Sequence, residues 1–213
     1  MTERTTVHLL RHGEVYNPDK ILYGRLPGYH LSEVGRQMAD LAAEALAARD
    51  VVEVRSSPLE RAQETAAPIA GQLGVDPVID ERIIEADNVF EGQRVSVGDG
   101  VLRQPRAWRH LWNPIRPSWG EPYVDVAARM RAAVTAAKRS ARGHEAVLVS
   151  HQLPVWISRL DAEGRRFVHD PRRRQCNLAS VTSLTFEDDR LVSVVYTEPA
   201  AALYPISTKG VGA

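Results

Sequence analysis

The chain has 213 residues, a formal net charge of zero and 44% hydrophobic residues, as in an ordinary globular protein. Because zero net charge provides no overall field for polyanions, we expect neither nucleic acid nor a membrane as a partner. The only cysteine, Cys176, excludes an internal disulfide. No segment resembles a signal peptide or reaches the roughly 20 apolar residues of a membrane helix, so we expect a cytoplasmic protein.

Strands and helices alternate in the first part of the chain. The pattern predicts a buried strand at 5–10, a helix from the N-cap Ser32 to about residue 48, a strand at 51–54, a helix to about residue 73 and a strand at 77–79. The second helix carries a start signal, because Ser57 can cap it, Pro58 takes its first position and Glu60 completes a capping box. Gly74 marks its end.

Residues 82–120 are the least periodic part, and we expect them to form a cap or loops over a site, packed by Trp108, Trp112 and Trp119. The rest of the chain predicts a helix at 122–142, a strand at 146–150, a helix from about residue 154, a β-hairpin of strands 178–186 and 191–196, and an irregular tail at 199–213. This order predicts one domain over 1–213. Its fold class is α/β, a three-layer sandwich with a mostly parallel central sheet and an antiparallel edge.

Two histidines follow directly after predicted strands, at the edge where sites of such sheets lie. A lone histidine there is more often a hydrogen-bonded structural residue than a functional one. Here, however, His12 follows Arg11, His151 ends another strand, and Arg61 lies near a helix N-terminus that favours anions. If the two strands are neighbours, two guanidiniums and two imidazoles form a site for a tetrahedral dianion such as phosphate.

The motifs occur in a known order. They are LRHGE at 10–14, LSEVGRQMA at 31–39, SSPLERAQETA at 56–66, IE at 84–85 with FEG at 90–92, GEP at 120–122 with Arg129, and VLVSH at 147–151. In this the chain resembles the histidine phosphatase superfamily, which includes cofactor-dependent phosphoglycerate mutases and many small phosphatases, from residue 7 to about 197. The resemblance implies a phosphoglycerate mutase-like fold.

The resemblance also implies roles for the clustered residues. His12 is the nucleophile that becomes phosphorylated, while Arg11, Arg61 and His151 hold the phosphoryl oxygens. To attack, His12 must be neutral, with its other ring N–H bonded to a nearby backbone carbonyl. The cationic surroundings should lower its pKa.

Glu85 matches the family's general acid, which protonates the leaving alkoxide and later accepts a proton from water. Its sequence context alone is also that of a surface carboxylate. Asp87 and Glu91 are alternatives for the acid, and Glu91 matches a second, less catalytic acidic position of the family.

The substrate side of the pocket departs from the family pattern. Tyr23 and Gly24 match the loop that approaches the phosphate, and Asn17 resembles a phosphate-contacting asparagine displaced by one residue towards His12. Gln152 stands where a small residue is usual. We therefore expect Asn17, Tyr23, Gly24 and Gln152 to bind substrate, with the identity of that substrate open.

Two further features favour structural interpretations. Five histidines are scattered without metal-ligand spacing, so we expect no metal and no cofactor: His8, His30, His110, His144 and His169. The run Arg172, Arg173 and Arg174 favours a solvated loop over a second anion site.

These features together predict a phosphatase for a small phosphorylated metabolite. Because dimers are common among similar proteins, the expected partner besides the substrate is a second copy of the chain in a homodimer. The alternative enzyme is a cofactor-dependent phosphoglycerate mutase, which usually has a longer insertion than residues 82–120 to shield phosphohistidine from water. A non-catalytic phospholigand-binding module is the second alternative, although such relatives typically lose the nucleophile or an arginine. The absence of serine-hydrolase, Walker A and dinucleotide motifs argues against those enzyme classes.

Overall fold

The computed structural model describes residues 3–94, 120–170 and 173–207. Most of the predicted cap with its three tryptophans, Arg172 and the end of the predicted tail lie outside the described residues. The strands are β1 (Arg4–Arg11), β2 (Val51–Ser56), β3 (Val78–Ile79), β4 (Glu145–Ser150), β5 (Val181–Glu187) and β6 (Arg190–Thr197). The helices are α1 (Glu33–Leu46), α2 (Glu60–Leu73), α3 (Tyr123–Ser140) and α4 (Gln152–Ala162), with short 3-10 turns at Glu81–Ile83 and Ala201–Leu203.

The strands form one sheet in the order β3-β2-β4-β1-β5-β6. The first four of these strands are parallel, whereas β5 pairs antiparallel with β1 and with β6. The predicted parallel sheet with an antiparallel edge is therefore confirmed. Because β1 and β4 are direct neighbours, with Arg11 paired to Ser150, the residues that follow them lie side by side.

Helices cover both faces of the sheet, which gives the three predicted layers. The central strands are apolar on both sides, and successive side chains enter opposite cores. Leu148 packs in a core with Met130 of α3 and Ile157 of α4, while Val149 packs in a second core with Ile69 of α2. The central strands are thereby fixed between the two cores.

The predicted capping box of α2 is wrong. The helix begins at Glu60, its N-cap is Leu59, and no side chain caps it. The Ser57 backbone N–H instead donates to the carbonyl of Val149 at 3.0 Å, which continues the sheet pairing past the predicted helix start. The Glu60 carboxylate accepts from the backbone of Gly28 at 3.1 Å. The predicted end is right, since Gly74 takes the left-handed conformation with φ 68°.

Other boundaries shift by a few residues. Helix α4 begins directly after His151 rather than near residue 154. Strand β5 begins at Val181 rather than at residue 178, because Ala179 has φ 51°, which a strand does not accommodate. The tail is not wholly irregular, since Ala201–Leu203 form a 3-10 turn. No helix in the described ranges has both the length and the apolar character needed to cross a bilayer.

Candidate active site

The two histidines that follow β1 and β4 meet at the carboxyl edge of the sheet. Their ring centroids are 5.2 Å apart, and both side chains are fully buried. The backbone N–H of His12 donates to the carbonyl of Ser150 at 3.0 Å, which extends the strand pairing into the site. The structure therefore brings His12 and His151 together as the sequence predicts.

His12 is held in one orientation and one protonation state. Its Nδ1 lies 2.7 Å from the carbonyl oxygen of Gly13, which can only accept, so Nδ1 carries the proton. Burial lowers the pKa of His12 well below its ordinary value, and the charges of Arg61 and Arg11 lower it further. Its Nε2 is buried and has no hydrogen-bond partner among the described residues. The neutral ring thus presents a lone pair on Nε2.

Close backbone contacts fix the turn after His12. A Cβ on Gly13 would lie 2.4 Å from the carbonyl oxygen of Gly35, and one on Gly35 would lie 1.9 Å from that of Glu14. The first turn of α1 therefore packs directly against the turn after β1. Ser32, the N-cap of α1, donates its hydroxyl to the Glu14 carboxylate at 2.8 Å and accepts from the Gly35 N–H at 2.9 Å. This contact explains why the first two motifs occur together.

Two buried arginines lie close enough to His12 for their charges to act on it. Arg11 donates through Nη1 to the carbonyl of Cys176 at 2.8 Å, and Arg61 donates through Nη2 to that of Gly24 at 2.5 Å. The Arg61 guanidinium also lies 4.7 Å from the ring centroid of Tyr23. Three further N–H groups, Nε of Arg11 and both Nε and Nη1 of Arg61, are buried without a partner among the described residues. Burying such donors is costly unless a ligand accepts their hydrogen bonds.

Glu85 is a buried carboxyl beside the same cluster. One oxygen, Oε1, accepts from the backbone N–H of Ala86 at 2.8 Å, while Oε2 is buried without a partner in the described part of the chain. Burial raises the pKa of Glu85, against the opposing charges of Arg61 and Arg11. A carboxyl with a raised pKa can retain a proton to donate, as a general acid requires.

The two alternative acids have other contacts. The Glu91 carboxylate accepts from the backbone N–H of Arg25 at 2.8 Å and lies against Gly24, so it holds this loop in place. The backbone carbonyl of Asp87 accepts from the N–H of Glu121 at 3.1 Å. Only Glu85, of these three acids, combines full burial with an unpartnered oxygen.

His151 has a partner that the sequence did not reveal. Its Nε2 forms a 2.7 Å hydrogen bond with the hydroxyl of Ser57, whereas its Nδ1 is buried without a partner among the described residues. Burial, followed by the charges around it, lowers the pKa of His151 well below its ordinary value. Ser57, which the sequence predicted as a helix cap, therefore orients His151. Its position before Pro58 was the only sequence feature that drew attention to it.

The predicted substrate residues occupy different surroundings. Tyr23 is buried under Arg61, and the carbonyl of Gly24 binds that arginine, so both belong to the cluster. The Asn17 amide instead bonds the backbone of Ile21 through both its nitrogen and its oxygen, at 2.8 and 3.0 Å, and closes its own loop. Gln152 is the first residue of α4, and its side-chain oxygen accepts a hydrogen bond from Arg174 at 3.2 Å.

A group of ion-paired residues, which we call the acid-loop clamp (Arg25, Glu121 and Arg129), holds the backbone around Glu85. Arg25 donates through Nε to the Glu85 carbonyl at 2.7 Å, and Arg129 donates to the Ile84 carbonyl at 2.6 Å. Glu121 pairs with both arginines, at 2.9 and 2.8 Å. Sequence reasoning noted Glu121 and Arg129 only as motif positions and missed Arg25, whose long side chain reaches across two loops.

The predicted solvated arginine run is wrong for one member. Arg173 is exposed as expected, but Arg174 is partly buried and bonds His169 and Gln152. As for metals, the described residues contain no group of three or more histidine, cysteine, aspartate or glutamate side chains arranged to hold an ion.

Comparisons with known proteins agree with this geometry. The model of the histidine phosphatase superfamily (branch 1) matches residues 7–199. The uncharacterized protein Rv0525 of Mycobacterium tuberculosis is 60% identical over 201 residues, which cover 94% of this chain and 100% of that protein. Another relative, named "Probable phosphoglycerate mutase GpmB", from Yersinia pestis, is 28% identical over 186 residues, covering 82% of this chain and 83% of that protein.

A solved structure shares the fold over nearly its whole length. The mycobacterial glucosyl-3-phosphoglycerate phosphatase Rv2419c superimposes with a TM-score of 0.71 at 27% identity, covering 92% of this chain and 98% of that chain. The predicted phosphoglycerate mutase-like α/β sandwich is therefore confirmed. The family match spans most of the sequence and includes every element that carries the cluster. The chain belongs to the histidine phosphatase superfamily.

Proposed function

We propose that the protein is a phosphatase that hydrolyses a small phosphomonoester through a phosphohistidine at His12. One observation carries this proposal: buried, unpartnered donors of Arg11 and Arg61 and the unpartnered Nδ1 of His151 occur beside an unpartnered, neutral His12 Nε2. A phosphoryl group would accept these hydrogen bonds while its phosphorus faces the nucleophile. The unpartnered oxygen of Glu85 adds a proton donor.

In the first step, the His12 Nε2 lone pair attacks phosphorus as the bond to the leaving oxygen breaks. The leaving oxygen takes the proton of Glu85, which becomes a carboxylate. Arg11 and Arg61 bind the equatorial oxygens, where charge is spread in the transition state, and so lower its energy. The Gly13 carbonyl stabilises the positive charge that the phosphorylated ring acquires through its Nδ1–H.

In the second step, a water molecule attacks the phosphorus of phosphohistidine. The Glu85 carboxylate takes one proton of that water, the phosphorus–nitrogen bond breaks, and the electron pair returns to His12 Nε2. Inorganic phosphate then leaves, and both side chains regain their starting protonation states. The guanidiniums supply the positive charge at the phosphoryl group, so we propose that the reaction needs neither a metal ion nor a cofactor.

Relatives of both activities favour a small phosphorylated metabolite as substrate. Rv2419c is named a glucosyl-3-phosphoglycerate phosphatase, and this chain matches 98% of its length. GpmB is named a "Probable phosphoglycerate mutase", and it is matched over 83% of its length. The likeness to a named phosphatase at 27% identity supports hydrolysis, whereas a mutase would return the phosphoryl group to bound product.

The test compares the parent enzyme with His12→Ala on p-nitrophenyl phosphate and on 3-phosphoglycerate. We expect phosphate release from the parent and a loss of about 10⁴-fold or more in the variant, as for removal of other catalytic nucleophiles. The assay with 3-phosphoglycerate also measures the formation of 2-phosphoglycerate, the product of isomerisation. Isomerisation faster than phosphate release would identify a mutase instead, and an inactive parent would favour a phospholigand-binding module.

A further inference from the structure

Arg174 approaches the site from the segment between α4 and β5. Its Nη1 donates to the Gln152 side-chain oxygen at 3.2 Å, and Gln152 directly follows His151. Two residues further on, the carbonyl of Cys176 accepts from Arg11 Nη1 at 2.8 Å. The guanidinium of Arg174 interacts electrostatically with Glu85 and with Arg11. Arg174 therefore lies at the rim of the cluster, next to the residue that follows His151.

The side chains that accept hydrogen bonds from Arg174 in the described part of the chain are neutral. Its Nε donates to His169 Nε2 at 2.8 Å, and His169 Nδ1 lies 2.6 Å from the carbonyl of Phe167. Because Nδ1 must carry the proton for that contact and Nε2 must accept, His169 is neutral. The other acceptor is the amide oxygen of Gln152. Within the described ranges, Arg174 forms no ion pair with a carboxylate, although it is only partly exposed.

The acceptors of Arg174 are themselves fixed in place. The His169 ring packs 5.7 Å from the ring centroid of Tyr123 and 5.8 Å from that of Trp156, a buried residue of α4. With Nε and Nη1 both bonded, the guanidinium plane has a defined orientation, and its Nη2 donates no hydrogen bond within the described part of the chain. A guanidinium held in this way can donate hydrogen bonds from its remaining N–H groups to an anion.

We propose that Arg174 is a specificity-determining residue that binds a second anionic group on the leaving-group side of the substrate. This inference rests on the proposed phosphatase function. The buried, unpartnered donors of Arg11 and Arg61 serve the transferred phosphoryl group, whereas Arg174, held by Gln152 outside that pair, is left for a second group of the same substrate. The substrate class is then a phosphomonoester whose alcohol part carries a carboxylate or a second phosphoryl group.

The neighbouring arginine provides a matched control. Arg173 is exposed, and its backbone N–H donates to the carbonyl of Asp170 at 3.0 Å. Arg173→Gln and Arg174→Gln therefore remove the same charge one residue apart, one from the surface and one from the site. A general effect of net charge would appear in both variants, whereas a specific contact would appear only in the second.

The experiment measures kcat/KM for two matched substrate pairs. In the first pair, 3-phosphoglycerate carries a carboxylate where glycerol 3-phosphate carries a hydroxymethyl group. In the second pair, fructose 1,6-bisphosphate carries a phosphoryl group that fructose 6-phosphate lacks. We expect the parent to prefer the more anionic member of at least one pair, and the pair that shows the preference identifies the anion. Arg174→Gln should reduce kcat/KM for that member by roughly 10- to 100-fold, mainly through KM, as expected for loss of a charged hydrogen bond.

Arg174→Lys, which keeps the charge without the guanidinium, should retain an intermediate preference, and Arg173→Gln should keep the parental one. Thermal melting checks that each variant is folded, and Arg174→Lys decides the matter if Arg174→Gln does not fold. A parental preference in folded Arg174→Lys and Arg174→Gln, or no preference in an active parent, overturns the role of Arg174 alone. A parent that hydrolyses no phosphomonoester overturns the proposed function, and this inference with it.

Discussion

The arginines that face the candidate site and those behind it are built in opposite ways. Arg11 and Arg61 are buried cations with unpartnered donors and no ion pair among the described residues. Behind Glu85, the arginines of the acid-loop clamp are paired with Glu121 and donate to the carbonyls of Glu85 and Ile84. Unsatisfied groups mark where a ligand binds, whereas satisfied groups mark where the protein fixes the position of a catalytic group.

The largest effect is expected from removing charge on the phosphoryl side. Arg61→Met keeps much of the side-chain volume but removes three donors, so kcat/KM should fall by about 10³-fold, by a similar factor for every phosphomonoester. Because an unpaired buried cation is costly, the thermal midpoint should not fall below that of the parent. Kinetics on two substrates and a melting curve test this, and a loss confined to one substrate would argue against a phosphoryl-side role.

The next largest effect is expected at the proton donor and depends on the leaving group. Glu85→Gln cannot protonate an alkoxide, so hydrolysis of glycerol 3-phosphate should fall by about 10²- to 10⁴-fold. p-Nitrophenolate leaves without a proton, so kcat/KM for p-nitrophenyl phosphate, which reports the phosphorylation step, should fall much less. Equal losses on both substrates would mean that Glu85 acts in some other way.

The pH dependence of the parent should reflect both groups. Only neutral His12 attacks, and its pKa is lowered, so kcat/KM should rise with pH in the acidic range and already be high below the ordinary histidine range. Only protonated Glu85 donates, and its pKa is raised, so kcat/KM for glycerol 3-phosphate should fall as pH increases through that raised pKa. Glu85→Gln should lose the descending limb, and a limb that persists would assign it to another group.

A smaller effect is expected from loosening the acid-loop clamp. Arg25→Ala removes the donor to the Glu85 carbonyl, so kcat/KM for glycerol 3-phosphate should fall by about 10-fold, since misplacement of a catalytic group is costly. As with Glu85→Gln, the loss in kcat/KM should be smaller for p-nitrophenyl phosphate. Arg94→Ala, which removes an exposed arginine paired with Asp19, is the matched control and should leave kcat/KM unchanged. Equal losses on both substrates would show that Arg25 does not act through Glu85.

The smallest effect is expected at the partner of His151. Ser57→Ala removes one hydrogen bond that orients the ring, so kcat/KM should fall by roughly 2- to 10-fold, in proportion to a neutral hydrogen bond. Ser56→Ala is a matched control, since its hydroxyl donates to the carbonyl of Ser57 and not to a site histidine. A larger loss in the control would show that the effect comes from the local backbone.

The sequence predicted the clustering of His12, His151, Arg11 and Arg61 better than the contacts around these residues, for a physical reason. Strand ends, a helix start and Gly13 are local features, and the order of parallel strands brings local features at their carboxyl ends together. The contacts that support them are not local. Arg25 and Glu85 are 60 residues apart, and their bond depends on two loops whose paths no periodicity reveals.

Single residues also proved ambiguous where two interactions compete for them. Ser57 has the sequence context of a helix cap, yet its hydroxyl binds His151 and the helix begins later. Arg174 lies in a run of arginines typical of a solvated loop, but neutral acceptors draw it inward. Asn17 resembles a phosphate ligand, and its shifted position allows its amide to close a loop with Ile21. For Ser57 and Arg174, a contact with a residue distant in sequence overrode the local signal, whereas for Asn17 a second local contact did.

The central claim is that His12 carries the phosphoryl group during turnover. The direct measurement is to quench the enzyme with alkali during hydrolysis of a ³²P-labelled phosphomonoester, because phosphohistidine survives alkali and is lost in acid, and to locate the label by peptide mass spectrometry. The account predicts an acid-labile label on His12 that accumulates in Glu85→Gln with p-nitrophenyl phosphate and is absent in His12→Ala. Turnover without a labelled intermediate, or a label on another residue, would contradict it.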